Sequence, residues 1–251
     1  MEARHSGLRW LNRRQAGILA RRYVDVILGD PWYTLLLLAQ APVIAGLIAL
    51  RFHNAPERPS LYFCLVLGAI WLGCVNASRE IAKERAIYQR ERLAGVQISA
   101  YVVSKIQVLS LLAAIQCLLL LSIVAYFVRL HGNIVAIYLS LLAAAVAGTC
   151  LGLAISALAK GPDMAVGLVP VVMFPQILFT KFVLPERYLE GLAAAIEKTT
   201  ITKWAHEMLA EIVKRHEAVE WGAVGQHFAI LGTLAVVLLA LTCLMLKVKE
   251  M

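Results

Sequence analysis

The densest chemistry in this sequence lies between Asn76 and Lys105. Glu80, Glu84 and Glu91 alternate there with Arg79, Lys83, Arg85, Arg90 and Arg92. Glu80 and Lys83 stand at helical spacing, where a local ion pair adds only a few tenths of a kcal/mol. Such charges stiffen a helix rather than build a reaction centre. A rigid charged helix directly below an apolar run is suited to receive a push from a soluble partner. Marks of catalysis are missing elsewhere. The sequence has no GxxxxGK[ST] phosphate loop, no GxSxG elbow and no HExxH pair. His5, His53, His131, His206, His216 and His227 form no recognised ligand set. His206-Glu207 and His216-Glu217 read as solvated helix faces. Cys64, Cys74, Cys117, Cys150 and Cys243 all fall in apolar runs and read as small buried or lipid-facing residues. The expectation is a chain that is not an enzyme, with no catalytic residue, cofactor or metal of its own.

The elements that position the charged segment are membrane helices. Of 251 residues, 61% are apolar, against about 45–50% in a soluble domain. The mean hydropathy is +0.75. A spanning helix needs about 20 mostly apolar residues. Six stretches qualify: Trp32–Leu50, Leu61–Val75, Val102–Val128, Ile134–Leu158, Met164–Leu184 and Ala223–Leu246. The second is short but continues as helix beyond Val75, since no breaker stands between Trp71 and Ile87. Fifteen of the 24 basic residues fall on one side of these spans, and the 16 acids divide evenly. The positive-inside bias then puts both termini in the cytoplasm. The basic balance is a topology signal, so no nucleic-acid partner is expected. The arginine-rich start lacks the short apolar core and cleavage site of a secretory signal.

Leu8 to Leu28 reads as an interfacial amphipathic helix. Its apolar residues recur at helical spacing, with arginines between them, and Gly29-Asp30-Pro31 turns the chain into the first span. Residues 185–220 read as short helices packed at the outer membrane surface. Within the spans, acids are almost absent. The polar exceptions are Gln40, Asn76, Gln107, Gln116 and Gln176. A proton-coupled carrier keeps ionisable groups at that depth, so energy supplied from elsewhere and a largely apolar substrate fit better. Ala144, Gly148, Gly152 and Ser156 make a small-xxx-small series that permits close helix approach, within the chain or between chains.

The segment from Asn76 to Lys105 resembles the membrane domain of ABCG-type (White family) ABC exporters, in the ABC-2 permease group. In that family the second span runs into a cytosolic helix with the pattern N…E…ER…F/Y..E, and a G….SAY..SK/R stretch follows. Asn76, Glu80, Glu84, Arg85, Tyr88, Glu91, Gly95, Ser99, Ala100, Tyr101 and Lys105 fit it. The amphipathic start, the Gly152–Ser156 end of the fourth span, the Pro170–Thr180 stretch and the charged outer region agree. The resemblance covers nearly the whole chain.

That resemblance implies an all-α integral membrane fold of the type V exporter kind. Residues 1–30 would be a connecting helix, and 31–251 a six-helix domain with a coupling helix at 79–92 and outer re-entrant helices at 185–220. It implies a permease subunit that exports a lipid or other hydrophobic substrate from the cytosol or inner leaflet, in a bacterial cytoplasmic membrane. ATP and Mg would be held by a separate ABC ATPase subunit, and a second copy of this or a similar permease would complete the pore. Trp71, Val75, Asn76, Val172, Phe174 and Ile177 would line the substrate cavity, with Phe182 and Val183 as the exit plug. Asn76 would bond either substrate or a neighbouring helix. Glu80, Glu84, Arg85, Tyr88 and Glu91 would couple to the ATPase. Lys181, where the family carries a small residue, would snorkel to the surface or meet a lipid phosphate. Two readings compete: a subunit that transmits ATPase motion to a partner assembly without moving cargo, and an ATP-independent lipid scramblase.

Overall fold

The computed structural model describes residues 12–54, 59–181, 183, 191–214 and 218–248. Among them every regular element is a helix: α1 (Arg13–Gly29), α2 (Pro31–Phe52), α3 (Pro59–Ser78), α4 (Glu80–Lys83), α5 (Arg85–Leu93), α6 (Ile98–Phe127), α7 (Ile134–Leu158), α8 (Pro162–Leu178), α9 (Leu192–Thr199), α10 (Ile201–Ile212) and α11 (Trp221–Val248). Their limits follow local chemistry. The Asp30 carboxylate caps α2 by accepting the Tyr33 N–H at 3.0 Å, and Pro31 takes the first helical position, where a missing N–H costs nothing. Asn133 caps α7 by accepting the N–H groups of Val135 and Ala136. At the end of α5, Gly95 adopts φ +93°. Its N–H bonds Arg92, while the Val96 N–H reaches back to Glu91. This Schellman closure needs a left-handed residue, which glycine supplies without strain.

Five of the helices are long and apolar enough to span a membrane, with α3 and α4 counted as one. The fifth expected span is shorter than the sequence suggested. It was expected to run from Met164 to Leu184, but α8 has 17 residues and stops at Leu178, where Phe179 leaves helical geometry (φ −88°, ψ 51°). It is about 25 Å long, below the roughly 30 Å of a hydrocarbon core. Pro170 and Pro175 lie inside α8, and Pro42 inside α2. Of the expected amphipathic helix, Arg13 to Gly29 is α1; its first residues lie outside the described set, as do residues 185–190 of the expected outer region.

The core runs through α3, which packs most extensively on α7. The contact is backbone to backbone. A Cβ added at Gly73 would lie 2.1 Å from the Ala145 carbonyl, one at Gly148 2.5 Å from that of Ile70, and one at Gly152 2.4 Å from that of Cys74. The small-residue series therefore serves packing within the chain. α11 covers α7, α10 wedges between α11, α7 and α3, and α6 joins α2 and α1 to the bundle.

Candidate functional site

Where α3 leaves the bundle, its helix is interrupted twice, at Arg79 and at Glu84, so the single charged helix expected over 79–92 is two pieces, α4 and α5. Ser156, at the end of α7, stands opposite the first interruption. Its Oγ accepts the N–H groups of Ile81 and Ala82, each at 3.0 Å. The bend places Glu80 under the bundle rather than on its surface.

Residues from five elements, α1, α2, α4, α5 and α6, converge there. Glu80 is only 1% exposed. Its carboxylate accepts the Tyr23 hydroxyl from α1 and, at 3.5 Å, that of Tyr33 from α2. Lys83 pairs with it at 2.6 Å. Lys105, on α6 and 2% exposed, lies 3.8 Å from Glu80 and 2.6 Å from Glu84. The Lys105 ammonium sits 3.6 Å from the centre of the Tyr23 ring, a cation–π contact. The Tyr101 hydroxyl donates to Glu84 at 3.4 Å, and its ring packs 4.6 Å from that of Tyr88. At the rim Arg22 of α1 pairs with Glu91 of α5. Further along, the Asn12 N–H donates to Gln97 Oε1 at 3.1 Å, and the Gln97 N–H to Gln15 Oε1 at 3.3 Å.

Burying these charges costs several kcal/mol each, and only mutual pairing offsets it. The pairing needs α1, α4, α5 and α6 together, so the network acts as a clasp that makes the four elements one body. Burial, with Glu80 beside it, raises the Tyr23 pKa well above the ordinary tyrosine value, and Tyr23 remains a proton donor. The hydrogen bond to Glu91 raises that of Arg22.

The residues expected to couple to an ATPase are thus mostly inside the clasp. Glu80 and Tyr88 are buried, Glu84 and Glu91 are paired inward, and Arg85 donates to the Lys160 carbonyl at 3.2 Å. The exposed face of α5 carries instead Ile87, Gln89 and Arg90, with Leu93 at its end. Of the expected cavity residues, Trp71 and Phe174 are 37% and 62% exposed, and Val75, Val172 and Ile177 are half-buried on α3 and α8. Asn76 is turned inward. Its Nδ2 donates to Gln116 Oε1 at 2.6 Å, and Gln116 donates to the Leu37 carbonyl at 2.7 Å, so Asn76 ties α3 to α6 and α2. Val183 is exposed; Phe182 lies outside the described residues.

At the opposite end, Gln176 Oε1 accepts the N–H groups of Ile201 and Thr202 and the Thr202 hydroxyl, holding the start of α10 against α8. Beside it a cavity of about 110 Å³ is lined by Phe63, Lys181, Glu197, Lys203, His206 and Glu207, among others. Lys181 therefore stands at a cavity wall. Burial, and secondarily Lys181, pull the His206 pKa down to about 4.

Tyr23, Tyr33, Lys105 and Ser156 are the residues that sequence reading did not assign to a site. Lys105 carried a usable signal: a cation within an otherwise apolar helix marks a paired or functional group. Ser156 carried none beyond its small size.

The model of the family described as ABC-2 type transporter matches residues 14–213. The ABC transporter ATP-binding/permease protein Rv1747 of Mycobacterium tuberculosis is 29% identical over 193 residues, covering 68% of this chain and 22% of that protein. The chain thus spans about a fifth of the length of the curated relative it matches.

Proposed function

The chain belongs to the ABC-2 type transporter family, and from that membership we propose that it is the membrane subunit of an ATP-driven exporter of a lipid or other hydrophobic substrate. The observation that carries the reading is the clasp around Glu80 and Lys105. A soluble ATPase can do work on a membrane helix only through a rigid connection, and this network supplies one between α1, α5 and the spans. In this proposal the α1 end faces the cytosol, as the basic residues favour. An ABC ATPase, holding ATP and Mg, meets the exposed face of α5 around Ile87, Arg90 and Leu93. Two copies of this or a similar chain pair through the apolar faces carrying Trp71 and Phe174. ATP closure draws the two α5 helices together; the clasp carries α1, α3 and α6 with them, and the cavity between the copies turns outward. The free energy comes from the differential affinity of ATP for the closed state.

An apolar cargo suits the spans, since α2, α3, α6, α7 and α11 contain no aspartate or glutamate. The decisive experiment purifies the chain with its copurifying ATPase and reconstitutes both in liposomes. Lipid-stimulated ATP hydrolysis and nucleotide-dependent movement of a labelled lipid across the bilayer are expected. Arg22→Ala or Glu91→Ala breaks the rim pair, whose arginine is half-exposed, and costs about 1 kcal/mol of stability. Either variant should fold, hydrolyse ATP and export about tenfold more slowly. ATP hydrolysis indifferent to every lipid extract, with no movement of lipid, would overturn the reading.

A further inference from the structure

Beside the clasp, at the boundary where α1 hands over to α2, lies a cavity of about 400 Å³. Val26, Ile27, Asp30, Tyr33, Arg79 and Lys83 line it, with Pro162 of α8 completing the wall. We infer that it binds the phosphate headgroup of an anionic phospholipid, with Arg79 and Lys83 as the recognising cations.

Charge is the first support. Two cations and one acid line the cavity. The acid, Asp30, already accepts the Tyr33 N–H as the cap of α2. Lys83 is partly neutralised by Glu80, but no carboxylate pairs with Arg79 among the described residues. Its described contact is a ring: the guanidinium lies 5.9 Å from the centre of Tyr33, and the Lys83 ammonium 5.4 Å from the same ring. One aromatic face thus gathers both cations at the cavity. A guanidinium without a carboxylate, next to an ammonium, is the donor set that a phosphate monoanion takes up through charge-assisted bonds.

Depth and shape point to a lipid rather than free phosphate. Trp32, 79% exposed, stands beside Tyr33 at the first turn of α2, and exposed tryptophan at a span end sits at headgroup level. The remaining wall is apolar: Val26, Ile27 and Pro162. One turn into the membrane from Tyr33 stands Leu36, and one turn from Pro162 stands Val166; both are exposed. An acyl chain descending from a headgroup in this cavity would meet these side chains instead of water. A free anion would use none of them.

The site makes no use of nucleotide, so its test is separate from that of export. The purified full chain in neutral detergent micelles is titrated with fluorescent phosphatidylglycerol, without ATPase or ATP. The expected result is saturable binding that Arg79→Gln weakens by about fivefold or more and Arg79→Lys largely restores. Val26→Trp, which fills the cavity without changing charge, should weaken it by a similar factor. Arg129→Gln, an equal charge change at an exposed position between α6 and α7, should change it by less than about twofold. Unlabelled phosphatidylglycerol should displace the probe, whereas millimolar inorganic phosphate and phosphatidylcholine should not. Binding that Arg79→Gln and Val26→Trp both leave within about twofold of the parent would overturn the site. Displacement by inorganic phosphate as effective as by the unlabelled lipid would overturn the lipid assignment, as would equal displacement by phosphatidylcholine.

Discussion

Replacing Lys105 with methionine removes one buried cation while keeping most of the side-chain volume. In the native chain the Lys105 ammonium faces Glu84 at 2.6 Å and Glu80 at 3.8 Å. At an effective dielectric near 20 these separations correspond to about 6 and about 4 kcal/mol of attraction. Much of that gain is offset by the cost of taking the ammonium out of water. The net loss on removing one partner of such a buried set is about 3–5 kcal/mol, because the remaining carboxylates stay buried without their cation. Lys83 compensates only in part, since it reaches Glu80 alone and is itself exposed. Lys105→Met should therefore unfold at markedly lower temperature in lipid nanodiscs, and amides of residues 80–105 should exchange faster. Adding Glu80→Gln and Glu84→Gln to Lys105→Met should recover much of the loss, since no unpaired buried charge remains. Stability of Lys105→Met within about 1 kcal/mol of the parent chain, with unchanged exchange over 80–105, would refute the reasoning.

Three further outcomes are expected. Ser156→Ala leaves the N–H groups of Ile81 and Ala82 without their side-chain acceptor; a cost of about 1–3 kcal/mol should appear as faster hydrogen exchange confined to α4 and the start of α5. Gly152→Ala puts a methyl 2.4 Å from the Cys74 carbonyl and should destabilise the bundle by about 1–3 kcal/mol, measured by thermal unfolding, whereas Gly46→Ala, which meets open space, should not. His206 favours its neutral form in the folded state, with its pKa lowered to about 4, against about 6.5 for an unperturbed histidine. Its contribution is complete above pH about 6.5 and is lost as pH falls from there towards 4, amounting to about 2 kcal/mol by pH 5. Protection of α10 amides should drop by a corresponding factor between pH 7 and pH 5 in the parent chain but not in His206→Gln, with Lys181, Glu197, Lys203 and Glu207 as the charged neighbours to hold constant.

The family was legible in residues that are close in sequence. The Asn76–Lys105 stretch carried it, and the family match over 14–213 bears it out. What that stretch does was less legible. Glu80, Glu84 and Tyr88 look alike whether a charged helix turns them towards a partner or towards its own bundle, because helical spacing fixes their relative angle and not their absolute one. The interruption at Arg79, opposite Ser156 on a helix some 75 residues away, decides that angle. Asn76 posed the same ambiguity, and Gln116 on α6 resolved it.

By itself the sequence determined what depends on composition and local order: an all-helical membrane chain, the turn at Gly29-Asp30-Pro31 into the first span, and a charged segment without catalytic motifs. Hydropathy and capping are properties of a residue and its near neighbours, so they can be read in a line. Tertiary structure alone decided that α8 ends at Leu178, that the glycines of α7 meet α3 within the chain, and that Glu80 and Lys105 lock α1, α4, α5 and α6 together. Those outcomes rest on distances between residues far apart in the chain, where the cost of a buried charge is settled by whichever partner the fold brings within a few ångströms.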